Sequence, residues 1–227
     1  MGKSGITIAI DGPASSGKGT VARLVARRLG YTLLDTGALY RAVGLRVLRE
    51  GGDPTSTDDA GSVAEVITFR FRRVGDRMNV EADGEDVTDA IRAEAVGRAA
   101  SAVAVHPRVR AALLGVQRAF GAEGGVVMDG RDVGTVVLPN AELKIYLDAS
   151  LDERAKRRHL DLPGSRYEDV RQDLAARDTQ DSGRTVAPLR AAEDAVHIDT
   201  TGRAIDDVVG EILALAVTRG AGRPTAG

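Results

Sequence analysis

Five short runs of the chain are apolar almost end to end, and each meets an aspartate at its carboxyl side. They are GITIAID (5–11), YTLLD (31–35), GVVMD (125–129), LKIYLD (143–148) and AVHIDT (195–200). A strand wetted on one face alternates apolar and polar residues; a run without alternation is buried on both faces, as in a parallel sheet covered by helices. Helical patterns fill the intervals: Thr20 to Leu29, 107–120 opening on Pro107, 152–160, 167–177 and Ile205 to Val217. Proline suits the first helical turn, where its missing N–H has no partner to lose. The expected fold is therefore α/β, a five-stranded parallel sheet with helices on both faces. Ligands of such sheets bind at the carboxyl ends of the strands, where the aspartates lie.

One segment breaks the alternation. Residues 67–87, ITFRFRRVGDRMNVEADGEDV, carry apolar residues at period two with turn signals at Gly75-Asp76 and Ala82-Asp83-Gly84. This predicts a small antiparallel sheet inserted between the second and third core strands. Residues 51–60, GGDPTSTDDA, read as a loop, and the tail TRGAGRPTAG from Thr218 reads as a disordered end.

Composition excludes several classes. The 31 basic and 33 acidic residues nearly cancel, so no global field recruits nucleic acid. Aromatics are 3% of the chain and Trp is absent, too few for a base-stacking platform. There is no Cys, hence no disulfide framework and no thiolate metal site. His106, His159 and His197 are too scattered to form a metal site. No run of eighteen apolar residues offers a membrane span, and the start of the chain lacks a signal-like apolar core. The expected location is the cytoplasm, and the expected state is a monomer.

The loop after the first strand carries the most chemistry. Gly12-x-x-x-x-Gly17-Lys18 has phosphate-loop spacing, with a strand before it and a helix after it. Glycines let main-chain N–H groups turn inward around phosphate oxygens, and the following helix adds the positive end of its dipole. Gly12, Pro13, Ala14, Ser15, Ser16, Gly17, Lys18, Gly19 and Thr20 are the candidate triphosphate cradle, with Lys18 supplying a full charge to the outer phosphates. Gly19 stands where many such loops carry the Ser or Thr that binds Mg²⁺. The GKGT form is similar to that of nucleoside monophosphate kinases, which implies a metal without a direct protein ligand, and Asp129 resembles the strand-end acid of phosphate-loop enzymes, which implies that it meets the metal through water. Asp11, Asp35 and Asp199 are weaker metal candidates and read as structural.

Arginines gather at other strand ends. Thr36 and Arg41 follow the second strand, Arg131 and Asp132 the third, and Arg177 and Arg184 bracket a helix end and a polar loop. Several guanidinium forks from separate segments suit a compact dianion such as a phosphate monoester. Residues 151–184 are charged and weakly apolar, with basic and acidic residues nearly balanced, which suggests a self-paired mobile helix pair rather than a nucleic-acid patch. Such a pair can close as a lid and keep water from a reactive phosphoryl donor, bringing arginines to the transferring group; Arg154, Arg157 and Arg158 share one helical face, and of these the resemblance to nucleotide kinases implies Arg157 first and Arg154 second.

From Ile6 to about Val217 the chain resembles bacterial cytidylate kinases, which are P-loop kinases of the nucleoside monophosphate kinase group. The segments that carry the likeness are GPASSGKGT (12–20), LDTGALYRA (34–42), ASAVAVHPRVR (100–110), MDGRDVGTVVLP (128–139) and ARDTQDSGRTVAPL (176–189). The resemblance implies a core made of 1–40, 99–150 and 186–220, an acceptor-binding insertion at 41–98, a helical lid at 151–185 and a disordered tail at 221–227. It implies transfer of the γ-phosphoryl group of ATP, with Mg²⁺, to CMP and dCMP. Lys18, Asp129, Arg131, Arg157 and Arg177 would be the catalytic set. Arg41, Arg131 and Arg177 would hold the acceptor phosphate. Thr36, Ser101, Arg110, Asp132 and Arg184 would surround the cytosine, and Asp181 would meet the ribose. Arg and Asp together complement cytosine, because Arg donates to O2 and N3 while Asp accepts from the N4 amino group. Thr36 stands where the family usually has Ser. Two alternatives stay open from the residues alone: a P-loop kinase for UMP or a nonnucleotide acid, and a non-enzymatic nucleotide switch.

Overall fold

The computed structural model describes residues 5–74 and 77–224. In chain order its strands and α-helices are β1 (Thr7–Asp11), α1 (Lys18–Leu29), β2 (Thr32–Asp35), α2 (Thr36–Arg49), α3 (Thr57–Val66), β3 (Phe69–Val74), β4 (Arg77–Ala82) and β5 (Glu85–Asp86). They continue as α4 (Glu94–Val103), α5 (Pro107–Gly121), β6 (Val126–Gly130), β7 (Leu143–Asp148), α6 (Leu151–Leu160), α7 (Tyr167–Ser182), β8 (Val196–Asp199) and α8 (Ile205–Thr218). The chain divides into two compact units: residues up to Leu33 with those from Glu123 onward, and residues 34–122.

The first unit holds the phosphate-loop strand. Five strands form one sheet in the order β2-β6-β1-β7-β8, with β1 parallel to both β6 and β7, and β8 parallel to β7. This is the five-stranded parallel core that the aspartate-ended runs predict. Both β1 and β6 are buried at every position, which is why their sequences show no alternation. Ile8, Ile10, Leu143, Ile145 and Leu147 of the sheet share a core with Val21 and Val25 of α1 and Ile212 and Leu213 of α8. The register sets Asp11 opposite Gly130 of β6 and Tyr146 of β7. The strand ends that carry the chemistry are therefore level with one another. Ala221 is buried in the same core, so the start of the expected tail is packed; residues 225–227 lie outside the described residues.

The second unit contains the expected antiparallel sheet, in the order β3-β4-β5. Phe69 pairs with Ala82 and Phe71 with Val80, so one face of β3 points into the core formed by Leu39, Val43, Val63, Val103 and Leu113. The predicted turn at Gly75-Asp76 lies outside the described residues. Two boundaries differ from the sequence expectation. Residues 57–60 are the first turn of α3 rather than loop: the Ser56 side chain accepts the Asp59 N–H at 3.2 Å, and Asp58 and Asp59 face the positive end of the helix dipole. Residues 34–40 and 99–122, expected in the core, group with residues 41–98, because Leu39, Ala100, Val103, Val109 and Leu113 share one core with Val43 of α2 and Val63 of α3. Among the described residues, no helix is long and apolar enough to cross a membrane.

Candidate active site

The loop between β1 and α1 has the backbone that its glycines predict. A Cβ on Gly12 would lie 2.0 Å from the Leu147 carbonyl oxygen, so β7 runs too close for any side chain there. Ser15 adopts φ 61 and Gly17 φ 88, and the chain enters α1 directly at Lys18. Gly17 is the N-cap and brings no capping side chain, leaving the first-turn amides suited to an external anion. Lys18 is buried and its ammonium donates to the Pro13 carbonyl at 3.1 Å, reaching back across the loop. The Ser16 hydroxyl is fully buried and has no hydrogen-bond partner among the described residues.

The outer side of this loop is held by α6. Arg154 is buried; it donates to the Ala14 carbonyl at 3.3 Å and the Ala149 carbonyl at 3.0 Å, and pairs with Asp178 of α7 at 2.7 Å. Arg157 donates to the Ser16 carbonyl at 3.4 Å, to the Thr200 hydroxyl at 3.0 Å and to the Thr200 carbonyl at 2.9 Å, and pairs with Glu153 at 3.1 Å. Ala14 also packs with Ala155, Val170 and Leu174, so the helix pair is seated on the loop. The two arginines expected to reach for the transferring group thus bracket Ser15 by its neighbouring carbonyls. Thr200, just past β8, completes the arrangement: its buried hydroxyl lies 3.1 Å from the Ser16 carbonyl and 3.0 Å from the Asp148 carbonyl.

Asp129 is buried at the end of β6, and a Cβ at Gly19 would lie 3.7 Å from its Oδ2. The acid and the position that lacks a hydroxyl are therefore neighbours. Asp11 is also buried, with its carboxylate accepting the Val133 N–H at 2.8 Å and the Gly134 N–H at 2.7 Å. Burial pushes its carboxyl up to about 6, against the pull of those two amides.

A second charged group lies in the same unit. Arg131 donates from Nε to Asp181 at 2.8 Å, and Arg184 pairs with the other oxygen of the same carboxylate. Asp181 is 1% exposed. Its burial alone would raise the carboxyl, but the charges of Arg131, Arg184 and Arg177 outweigh it and hold the group below the ordinary carboxylate range. Arg131 also donates to the Gly130 carbonyl at 3.2 Å. Asp132, buried, immediately precedes a π-helical turn at Val133–Val137.

In the second unit, Thr36 is buried at the start of α2, behind Asp35, which caps that helix through the Gly37 N–H at 2.9 Å. Arg110 is buried, with its guanidinium 5.5 Å from the centre of the Tyr40 ring and its Nη1 donating to the Ala104 carbonyl at 3.3 Å. Arg41 donates to the Ile91 carbonyl at 3.1 Å and lies against Gly97, whose carbonyl accepts the Ser101 hydroxyl at 3.3 Å. Four of the sequence-predicted residues thus belong to this unit, and the others to the first.

A family model described as cytidylate kinase matches residues 8–218. The chain belongs to the cytidylate kinase family. It is 47% identical to a cytidylate kinase of Vibrio vulnificus (strain CMCP6) over 210 residues, 91% of this chain and 93% of that protein. It is 48% identical to a cytidylate kinase of Geobacillus thermodenitrificans (strain NG80-2) over 219 residues, 94% and 97% of the two chains. A crystal structure of an uncharacterized protein from Eubacterium ventriosum ATCC 27560 shares the fold, with a TM-score of 0.53 at 12% identity over 94% of this chain and 99% of that one.

For this member of the cytidylate kinase family, sequence reasoning missed Thr200 and set Asp11 aside as structural. A hydroxyl residue after a strand carries no local signal of a partner 184 residues away. For Asp11 a signal was present: a charged residue closing an otherwise apolar buried strand needs partners of its own.

Proposed function

We propose that the chain transfers the γ-phosphoryl group of ATP to CMP and dCMP, giving CDP or dCDP and ADP. The observation that carries this reading is one unit of a cytidylate kinase family chain that holds both a phosphate loop with buried Lys18 and a buried carboxylate, Asp181, paired with two arginines. Residues 12–20 cradle the triphosphate, and Lys18 neutralises its outer charges. Arg154 and Arg157 act on the donor side. Arg41, Arg131 and Arg177 hold the acceptor phosphate; Thr36, Ser101, Arg110, Asp132 and Arg184 surround the cytosine, and Asp181 meets the ribose.

Bound with ATP, Mg²⁺ would neutralise charge on the transferring phosphates. Asp129 fits a contact to it through water, since its carboxylate borders Gly19, which has no hydroxyl to offer. An oxygen of the acceptor phosphate attacks the γ-phosphorus, the bond to the β–γ bridging oxygen breaks, and its electron pair leaves with ADP. The attacking oxygen is already anionic, so no general base is required, and positioning with charge neutralisation does most of the work.

Residues 151–185 serve as the lid and 41–98 as the acceptor-binding insertion. The protein works in the cytoplasm as a monomer on free nucleotides, without nucleic acid; its formal charge of −2 supports the last point. A coupled ADP-release assay across CMP, dCMP, UMP, AMP, GMP and shikimate tests the reading. Release stimulated by CMP and dCMP above the others is expected. Preference for another acceptor, or ATP binding without stimulated release, would overturn it.

A further inference from the structure

Asp11 is the last residue of the strand that launches the phosphate loop, yet its carboxylate is bonded to the segment that follows β6. Both carboxylate oxygens accept main-chain N–H groups, Oδ1 from Val133 at 2.8 Å and Oδ2 from Gly134 at 2.7 Å, across 122 and 123 residues of sequence. Those two amides open the turn at Val133–Val137, directly after Asp132. The turn is closed from its other end as well, because the Asp132 carbonyl accepts the N–H groups of Val136 at 2.9 Å and Val137 at 3.2 Å. Space around the contact is small: a Cβ on Gly134 would lie 3.3 Å from Asp11 Oδ2 and 3.2 Å from Lys144 Cδ. Asp11 is 4% exposed.

An aspartate taken out of water is costly, and a neutral side chain would fill the same volume at less cost. What the carboxylate offers is a pair of acceptor oxygens that fix two successive peptide planes. We infer that Asp11, although it stands in the donor loop's own strand, is a positioning residue for the acceptor: it sets the backbone after Asp132 and so aims Asp132, and with it Arg131, at the bound pyrimidine nucleotide. The inference rests on the acceptor roles proposed above for Asp132 and Arg131. It links the two substrates' binding elements through one side chain without contact to either substrate.

The test is Asp11→Asn, in which one oxygen becomes an NH2 that opposes a main-chain N–H. Steady-state kinetics in both substrates are compared with the wild-type chain. The KM for CMP is expected to rise about tenfold and the preference for CMP over UMP in kcat/KM to fall by about the same factor, while the KM for ATP changes less than about twofold. A rise in the KM for ATP with CMP selectivity intact would make Asp11 a support of the phosphate loop instead, and unchanged kinetics would remove any role; either overturns the inference. Gly134→Ala presses on the same contact from the other side and keeps the carboxylate, so it answers the question should Asp11→Asn not fold. It should raise the KM for CMP in the same selective way, and a change confined to ATP would again refute the idea. The wild-type control separates the two levels: if it shows no CMP-stimulated ADP release, the functional reading falls and this inference with it.

Discussion

The Thr200 hydroxyl lies 3.1 Å from the Ser16 carbonyl, and Arg157 meets both residues. The residue just past β8 therefore holds the phosphate loop from behind. Thr200→Val removes the hydroxyl and leaves the shape. It should cost about 1–2 kcal/mol of stability and lower Tm by a few degrees. The KM for ATP should rise several-fold with little change for CMP, and Thr200→Ser should restore it. Equal effects on both substrates would show that Thr200 supports the fold and nothing more.

Lys18 sits inside the loop with its ammonium on the Pro13 carbonyl. Lys18→Met keeps the length and removes the charge. A loss of kcat of at least about 10²-fold is expected with an unchanged circular dichroism spectrum. Near-normal turnover would exclude Lys18 from charge neutralisation.

Asp132→Ala removes the acceptor assigned to the cytosine amino group. The CMP requirement should rise and the CMP/UMP ratio in kcat/KM should fall by about 10-fold or more, since a lost polar partner weakens discrimination that rests on it. Selectivity retained in a two-acceptor competition assay would refute the assignment.

Asp181 serves two guanidinium groups at once. Asp181→Asn takes this carboxylate's charge away from both cations in a buried place. The cost is on the order of 3 kcal/mol, read as a fall in Tm of roughly 10 °C by calorimetry. Because the native carboxyl is held below its ordinary range, its contribution is present at neutral pH and is lost as pH falls through the native value.

Asp11 acts with the opposite sign. Burial raises its carboxyl to about 6 from the ordinary 3.8, so between those values the folded chain binds more protons than the unfolded one. Stability attributable to Asp11 therefore declines as pH rises from about 4 to about 6, by on the order of 3 kcal/mol. In Asp11→Asn the slope of unfolding free energy against pH should become more positive in that window. An identical slope in the two proteins, measured by urea unfolding at a series of pH values, would show that Asp11 does not titrate as the structure implies.

What the sequence made visible was local. The β1–loop–α1 unit could be read because spacing, strand and helix all lie within residues 5–29, and the five aspartate-ended runs exposed the parallel core because burial on both faces suppresses alternation. The antiparallel insertion showed through the alternation of Phe69 and Phe71. Long-range contacts left no such trace. Nothing in a linear pattern says that Asp11 meets Val133, or that Thr200 meets Ser16. Arg154 and Arg157 were visible as a helical face, but their partners are main-chain carbonyls, which every residue carries and no sequence motif marks. The helix at 57–66 was hidden by the Gly, Pro and Asp residues just before it, which mimic a longer loop until Ser56 is recognised as a cap.

The Gly19 backbone is ordinary helix, and 3.7 Å from a built Cβ to Asp129 is a comfortable separation. The local geometry has room for a Cβ there. Lack of room therefore does not account for the missing hydroxyl, and one substitution, Gly19→Ser, would put a side chain within van der Waals reach of the Asp129 carboxylate.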